Sequence, residues 1–291
     1  MNERPITVKE VLTLSTRYLA ERGSPSARLD TEILTAMAMG VRRLDLYLAP
    51  QRPLSSTERE SLRGLIRRRG LGEPVAYITG RREFHGLDFL VTPAVLIPRP
   101  ETEVLVDAVV EWLAGRGNGD ALIADVGTGS GAICCSVARR DSSVRVIGTD
   151  TSEDALCVAA RNVERLGVGD RVGLVRCDLL AGIGAENRLD CIVSNPPYIG
   201  ENEAGMLDRG VREYEPPEAL FAGKDGMSVT RRLVGQASWL LKRDGMLFIE
   251  VGTPGQRDKV GALLGAHDAF DEARPLLDVA GVVRGFVAGR R

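Results

Sequence analysis

The sequence predicts an α/β protein, a doubly wound and mostly parallel sheet with a small N-terminal helical domain joined to it by a β-hairpin linker. Three observations carry that expectation. From Ala121 onward, short apolar runs alternate with segments of helical period, as β-α-β units do when parallel strands are covered on both faces. A glycine loop, Gly127-Thr128-Gly129-Ser130-Gly131, stands between the first such run and the first helix. Residues 1–73, by contrast, show only helix-period apolar stripes, each with its own start and stop signals.

Taken in order, Thr7 and Glu10 form a capping-box pair around Val8, Val11, Leu12, Ser15 and Leu19, and Gly23 closes that helix. A second helix fits Leu29 to Met39, with Gly40 as its stop. Ser55 and Glu58 open a third, whose stripe is Leu62, Leu65 and Ile66 and whose end is marked by Gly70 and Gly72. The basic run Arg63, Arg67, Arg68 and Arg69 reads as the solvated face of that helix. A short bundle of this size buries little surface of its own, so it serves either as a stabilising cap or as a platform for a partner. Residues 74–99 form the linker: Arg82 to Val91 fits a hairpin turning near Gly86, and Pro98 and Pro100 punctuate the segment beyond it. The next helix carries Val104, Leu105, Ala108, Val109 and Trp112 at helical spacing, with Glu101 and Glu103 in a first turn that favours acids. Arg99 and Glu101 are otherwise simple local caps.

The remainder, within residues 100–291, is the sheet domain. Strands fit Leu122 to Val126, Val144 to Gly148, Val172 to Val175, Leu189 to Val193, Met246 to Val251 and Val282 to Val287. Helices fit Ala132 to Ala138, Glu153 to Leu166, Val229 to Leu241 and Gln256 to Leu264. With 291 residues and 44% hydrophobic content the chain has ample material for a core, and a formal net charge of −2 excludes the global basic field of a duplex-DNA binder. The five cysteines lack C-x-x-C spacing and lie in apolar segments, which indicates a reducing, intracellular setting. Only His85 and His267 are present, so no metal site is expected. Met1-Asn2-Glu3-Arg4-Pro5 has no apolar core behind it and no run approaches the ~18 apolar residues of a membrane span, so a cytoplasmic location is expected.

Two segments carry chemistry. The loop of Asp125-Val126-Gly127-Thr128-Gly129-Ser130-Gly131 permits a tight turn and close approach of a ligand to the backbone, and Asp150, at the end of the next strand, suits a carboxylate that accepts from ribose hydroxyls. The loop departs from the dinucleotide fingerprint, since Ala132-Ile133 stands where a third glycine belongs, which argues against NAD. Asp178 and Leu179 follow the third strand, placed to accept from an adenine amino group and to pack on its ring, or to be plain loop residues. At the end of the fourth strand comes Asn195-Pro196-Pro197-Tyr198. Proline fixes φ and has no N–H, so this turn offers rigid acceptors. If the Asn195 side-chain oxygen and the Pro196 carbonyl accept from one substrate NH2 while the Tyr198 ring stacks on it, the turn is a clamp for a planar amide or aromatic amine. Otherwise it is a rigid turn in which Asn195 bonds its own backbone.

Together these segments make the chain resemble the class I S-adenosylmethionine-dependent methyltransferases, and among them the release-factor glutamine methyltransferases of the HemK/PrmC family. The resemblance covers nearly the whole chain: Gly72-Glu73-Pro74-Val75-Ala76-Tyr77-Ile78-Thr79-Gly80, Glu83-Phe84, Ile97-Pro98-Arg99-Pro100-Glu101-Thr102-Glu103, the glycine loop, Asn195 to Tyr198, and Tyr214-Glu215-Pro216 with Ala219-Leu220. It implies the seven-stranded class I methyltransferase sheet, S-adenosyl-L-methionine as methyl donor, and peptide chain release factors as protein substrates, methylated on the glutamine of their Gly-Gly-Gln loop. It further implies cofactor contacts at Gly127, Thr128, Gly129, Ser130, Gly131, Asp150, Asp178, Leu179 and Asn195, a substrate motif of Asn195, Pro196, Pro197 and Tyr198, and catalysis by Asn195, Pro196 and Tyr198. The Arg-Pro-Glu-Thr-Glu form of the inter-domain segment favours release factors over the glutamine of a ribosomal protein. His85 departs from the family, which often carries Trp or Tyr after Glu-Phe, and is not read as a catalytic base.

An amide nitrogen is a poor nucleophile, so orientation must supply much of the rate, up to ~7–11 kcal/mol in favourable cases. No general base is evident. Two further readings compete: an N6-adenine nucleic-acid methyltransferase, whose flipped base the same clamp would hold, and a non-catalytic cofactor-binding adaptor. No added target-recognition domain or basic excess supports the first, and the intact clamp weakens the second. The expected state is a monomer without direct contact to nucleic acid or membrane.

Overall fold

The structure is a computed structural model that describes residues 6–117, 120–184 and 189–291; the stretch Met1 to Pro5, in which no targeting signal was expected, lies outside the described residues. In chain order the helices are α1 (Val8–Ala20), α2 (Ala27–Met39), α3 (Arg43–Leu48), α4 (Ser56–Gly70), α5 (Val75–Thr79), α6 (Glu103–Gly115), α7 (Ala132–Arg140), α8 (Glu153–Arg165), α9 (Arg209–Tyr214), α10 (Ser228–Leu240) and α11 (Pro254–Gly265). The strands are β1 (Arg81–Phe84), β2 (Leu87–Leu90), β3 (Ala121–Val126), β4 (Val144–Asp150), β5 (Val172–Arg176), β6 (Leu189–Ser194), β7 (Leu241–Glu250), β8 (Arg274–Leu277) and β9 (Val283–Gly289). The chain forms two compact units, Met1–Gly80 with Asp208–Tyr214, and Arg81–Leu207 with Glu215–Arg291.

In the first unit both capping boxes form. Thr7 N–H donates to Glu10 Oε2 at 2.9 Å and Ser55 N–H to Glu58 Oε2 at 2.8 Å, a stabilisation of about 1 kcal/mol per cap. Gly40 closes α2 in the left-handed conformation, φ 63°. The core is Val8, Leu12, Leu19, Leu34, Leu46 and Leu62 with their neighbours. One expectation changes here: Arg63, Arg67 and Arg68 are exposed, but Arg69 turns inward. Asp30 is buried, and it accepts from Ser24 Oγ, Ser26 Oγ and Arg69 Nε, each at 2.7 Å; without the guanidinium it would be an uncompensated buried charge. The unit extends past residue 73 to Gly80, since Ile78 of α5 joins the same core. It also includes α9, where Tyr214 Oη donates to the Leu71 carbonyl at 3.4 Å. α3 and α5 span 6 and 5 residues, too short to display a helical period.

The second unit holds a seven-stranded sheet in the order β5-β4-β3-β6-β7-β9-β8. β5 through β7 are parallel, while β9 runs antiparallel to both β7 and β8. β8 has no counterpart in the sequence reading. It is a four-residue edge strand containing Pro275, and an edge is where a residue without an N–H is tolerated. β7 begins at Leu241 rather than Met246: Leu241 pairs with Leu189, the chain bulges through Asp244 at φ 63°, and pairing resumes at Met246 with Cys191. The hairpin β1–β2 is part of this unit's core, because Phe84 and Phe89 are fully buried beside Leu105, Val109 and Ile133. At its turn His85 takes φ 51° and places Nε2 2.9 Å from Asp107 Oδ1 of α6. Of the five cysteines, Cys134, Cys135 and Cys191 are buried as expected, Cys177 is half-buried, and Cys157 is exposed on α8. Among the described residues no helix is long and apolar enough to cross a membrane.

Asp190 ties four elements together. Its buried carboxylate accepts from Leu122 N–H at 2.9 Å in β3, from Lys242 Nζ at 2.9 Å in β7, and from Arg116 at 2.9 Å after α6. Burial alone would raise its pKa, yet the Leu122 N–H, Lys242 and Arg116 together hold it below the usual carboxylate range. Asp190→Ala is expected to cost about 1–3 kcal/mol, since it orphans the Leu122 N–H, read as a lower urea midpoint at neutral pH. A depressed folded-state pKa gives stability that is present above the unfolded value of about 3.9 and lost as pH falls through the folded value, so the gap between variant and parent should close on acidification below about pH 4.

Candidate active site

The site is set by the pairing of β3 with β6. Val126 lies opposite Ser194, and Ser194 Oγ donates to the Val126 carbonyl at 2.7 Å. The glycine loop and the Asn195 turn therefore leave the sheet side by side. β3 has β4 on one flank and β6 on the other, the reversal of strand order that opens a crevice at the carboxyl ends of an α/β sheet.

A cleft of about 170 Å³ occupies this position. Of the residues singled out in the sequence, Gly127, Gly129, Asp150, Asp178, Leu179, Asn195 and Pro197 line it. Thr128, Ser130, Gly131, Pro196 and Tyr198 do not line it. Thr128 is buried, with Oγ1 donating to Asp125 Oδ2 at 2.6 Å; the Ser130 carbonyl accepts from Asn162 Nδ2 at 2.8 Å. A Cβ on Gly131 would come within 3.4 Å of Cys135 Sγ, so that glycine serves the packing of α7. A Cβ on Gly127 or Gly129 would meet nothing within 4 Å, but both need left-handed φ, 72° and 53°. The loop thus divides into an inner half that builds the turn and an outer half that faces the cleft.

The loop's N–H groups are largely spent internally. Those of Gly127 and Thr128 donate to the Thr149 carbonyl at 2.8 Å, that of Gly129 to Asp150 Oδ2 at 2.9 Å, that of Gly131 to the Thr128 carbonyl at 2.8 Å, and that of Cys134 to Asp125 Oδ2 at 3.0 Å. Few donors remain to cradle a pyrophosphate, and the Asp150 carboxylate in the cleft wall would repel one. Asp125 is fully buried with Oδ1 lacking a partner, and burial, with the Asp150 charge adding to it, raises its pKa to about 6 against the pull of Thr128 and the Cys134 N–H. These walls suit a neutral or cationic adenosyl ligand, as the implied S-adenosylmethionine is. Asp150 keeps free lone pairs beside its bonds to Gly129 and to Ser152 N–H at 3.0 Å. The Asp178 carboxylate is paired with the Arg232 guanidinium, so an adenine amino group would share it. Leu179 sits at φ 54°, uncommon for a bulky residue and of the kind found at ligand sites.

In the Asn195 turn, Asn195 Nδ2 donates to Thr102 Oγ1 at 3.2 Å, which leaves its Oδ1 as the acceptor toward the cleft. Asn195 does not bond its own backbone. The Pro196 carbonyl accepts no hydrogen bond from the described residues. The Tyr198 ring lies against Gly252, where a Cβ would stand 2.3 Å from Cε2, and its carbonyl against Gly226, where a Cβ would stand 2.3 Å from the oxygen. Burial, then the nearby Glu250, raises the Tyr198 pKa and keeps the phenol neutral. Above the cleft, Arg99 reaches Glu215 Oε1 at 2.5 Å, and Ile97 N–H donates to Glu215 Oε2 at 3.3 Å. That pair, a buried Glu215 with a half-buried Arg99, braces the two segments whose Leu96 and Pro216 line the cleft, a longer reach than the local cap expected of Arg99. Thr102, Gly226, Glu250 and Gly252 were not singled out as site residues; Thr102 alone had a signal, its place in the inter-domain motif.

The chain matches the PrmC N-terminal domain over residues 10–80 and the methyltransferase small domain over residues 102–208. It is 38% identical over 96% of its length to a release factor glutamine methyltransferase of Rhodopirellula baltica, covering 95% of that protein. It is 42% identical over 89% of its length to one of Geobacter sulfurreducens, covering 89% of that protein. Among solved structures, the fold is like that of a methyltransferase from Pyrococcus furiosus, with TM-score 0.50, 20% identity, and 70% and 89% of the two chains covered. It is also like that of the hMettl16 catalytic domain in complex with a 3′UTR hairpin, with TM-score 0.54, 15% identity, and 80% and 81% covered.

The packing at Tyr198 generates a specific expectation. Gly252→Ala drives a methyl group into the ring, so methyl transfer should fall on the order of 100-fold through misplacement of the turn, while calorimetric affinity for S-adenosylmethionine stays near the parent value. Unchanged transfer would show that the ring's seat does not matter.

Proposed function

The chain belongs to the release factor glutamine methyltransferase family, and from that premise we propose how its residues carry out the reaction, transfer of a methyl group from S-adenosyl-L-methionine to the side-chain N5 of the glutamine in the Gly-Gly-Gln loop of peptide chain release factors. The observation that carries the assignment of roles is the orientation of Asn195: its NH2 donates to Thr102, which leaves its oxygen unbonded among the described residues and open to a substrate.

Gly127, Gly129, Asp150, Asp178 and Leu179 line one cleft and would hold the methyl donor, with Asp150 to accept from its ribose hydroxyls and Leu179 to pack on its adenine. The donor's sulfonium supplies an electrophilic methyl carbon. Asn195 Oδ1 and the Pro196 carbonyl accept the two hydrogens of the glutamine NH2. Those acceptors leave electron density on nitrogen and fix the direction in which its lone pair points. Tyr198 supplies a flat, uncharged wall. The nitrogen–carbon bond would form as the donor's carbon–sulfur bond breaks, with that electron pair kept by sulfur, and the amide proton would then pass to solvent. Glutamate is rejected because its carboxylate would set oxygen against two acceptors, leaving buried groups unpaired at a cost of about 1–3 kcal/mol.

The net charge of −2 supports a protein substrate over a nucleic acid. The helical unit is assigned to recognition of the release factor. One chain acts alone in this reading, since every group given a part in methyl transfer comes from a single unit of one chain.

Two measurements test the reading. Labelled S-adenosylmethionine should label an unmodified release factor, and Gln→Ala in its Gly-Gly-Gln loop should abolish the label; equal labelling of that variant would refute the acceptor. Asn195→Ala should reduce turnover far more than cofactor affinity. Loss of cofactor binding alone would make Asn195 a cofactor contact instead.

A further inference from the structure

Asn162 lies on the buried face of α8 with Ala155, Val158, Ala159 and Val163, and it is 0% exposed. Both polar atoms of its amide are engaged. Oδ1 accepts from Leu90 N–H at 2.8 Å, and Nδ2 donates to the Leu90 carbonyl at 2.9 Å and to the Ser130 carbonyl at 2.8 Å. Leu90 ends the hairpin strand β2, and Ser130 belongs to the glycine loop. We infer that Asn162 is a positioning residue for the methyl donor, fixing the spacing between two walls of the cleft through Leu90 and Ser130. The inference rests on the reading of this cleft as the donor's seat.

Asn162 does not itself line the cleft, but both of its partners lead to it. Ser130 follows Gly129, which lines the cleft, and a Cβ on the next residue, Gly131, would come within 3.4 Å of Ala159, one helical turn before Asn162. The inner half of the loop therefore sits directly on α8. On the other side the chain runs from Leu90 through the buried Val91 to the turn at Thr92 and Pro93, where Val95 N–H donates to the Thr92 carbonyl at 3.1 Å. It then enters the cleft wall as Ala94, Val95 and Leu96. Proline fixes φ in that short connection, so a displacement of Leu90 is passed on to the wall. One side chain thus ties both walls to the same helix.

The chemistry of the tie is specific to an amide. Engaging the N–H and the C=O of one residue is what a neighbouring strand does in a hydrogen-bonded pair, and the bond to Ser130 needs a second hydrogen on the same nitrogen. A primary amide offers two donors and an acceptor at this reach. Aspartate in its place would set a carboxylate against two carbonyls, and glutamine would push one more methylene into a packed interior. An apolar residue would continue the buried face of α8, but it would leave three backbone groups without their partner and the walls untied. The three bonds also settle the orientation of the amide, since turning it over would face its oxygen to both carbonyls. Arg165, one turn further along α8, meets the hairpin too, at Asp88 Oδ2 at 2.5 Å, but in an exposed pair that does not reach the loop.

The test uses the full chain, S-adenosylmethionine and an unmodified release factor. Asn162→Asp, shown to be folded by its thermal melt, should weaken calorimetric affinity for S-adenosylmethionine about 10-fold or more and raise its KM. At saturation kcat should stay near the parent value, because the Asn195 turn hangs from β6 and not from α8. Arg165→Ala should leave the affinity unchanged. A purely structural Asn162 would instead lower the melt and the active fraction, with parent affinity in the protein that remains folded. In the unaltered chain, which depends on no variant, saturating S-adenosylmethionine should slow hydrogen exchange of the Leu90 N–H about 5-fold or more, since binding and the tie stabilise each other. Parent affinity in folded Asn162→Asp, an equal loss in Arg165→Ala, or unaltered exchange at Leu90 overturns the inference. If Asp150→Ala loses the donor while Asn162→Asp keeps it, the cleft reading stands and only the tie fails. If Asp150→Ala binds the donor as the parent does, the cleft reading fails and the tie with it.

Discussion

The parallel pairing of β3 with β6 is the constraint on which the site depends. A parallel ladder fixes register residue by residue, and here Val126 opposite Ser194 makes the two strands end together. A slip of one residue would turn Asn195 to the other face of the sheet and separate it from the glycine loop. The register is secured at both ends, by Ser194 Oγ on the Val126 carbonyl at 2.7 Å and by Asp190 on the Leu122 N–H at 2.9 Å. Thr102, Gly226 and Gly252 then adjust what the ladder has already brought together.

Much of this was legible in the residues. Capping boxes at Thr7 and Ser55, the hairpin turn at Gly86, and the long β-α alternation are written in local patterns, and local patterns are what sequence reading resolves. The Asn195 turn was legible as rigid because proline restricts the chain wherever it stands. What could not be read were contacts made across long sequence separations. Nothing near Thr102 announces Asn195, and nothing near Gly252 announces the ring of Tyr198. Arg69 looked solvated because its partner, Asp30, lies on another helix. β8 stayed hidden because Pro275 disguises an edge strand. Leu179 at positive φ was equally silent, since its conformation is imposed by surroundings rather than by its own preference.

Electrostatics distinguish this glycine loop from its phosphate-binding counterparts more clearly than spacing does. Its inner N–H groups turn back onto Thr149, Asp150, Thr128 and Asp125, so the dipoles that would welcome an anion are neutralised before a ligand arrives. What remains at the rim is acidic. On the substrate side the groups are uncharged: an amide oxygen, a proline carbonyl and a phenol held neutral by burial. The donor half of the crevice thus favours positive charge, and the acceptor half favours dipoles, matching a cationic donor that meets a neutral amide.

The division of the chain has a consequence for its biosynthesis. The helical unit takes α9 from far along the sequence, since Asp208–Tyr214 belongs with Met1–Gly80. A ribosome releasing the chain from its N-terminus delivers α1 to α5 early, but the last piece of that unit emerges only after β3 to β6 have been made. Vectorial folding, in which an N-terminal domain finishes before its successor begins, leaves this unit one piece short: its apolar core is drawn from residues 6–78 alone, so it is available to form early. α9, none of whose residues is buried, is then added to a core that already exists rather than completing it.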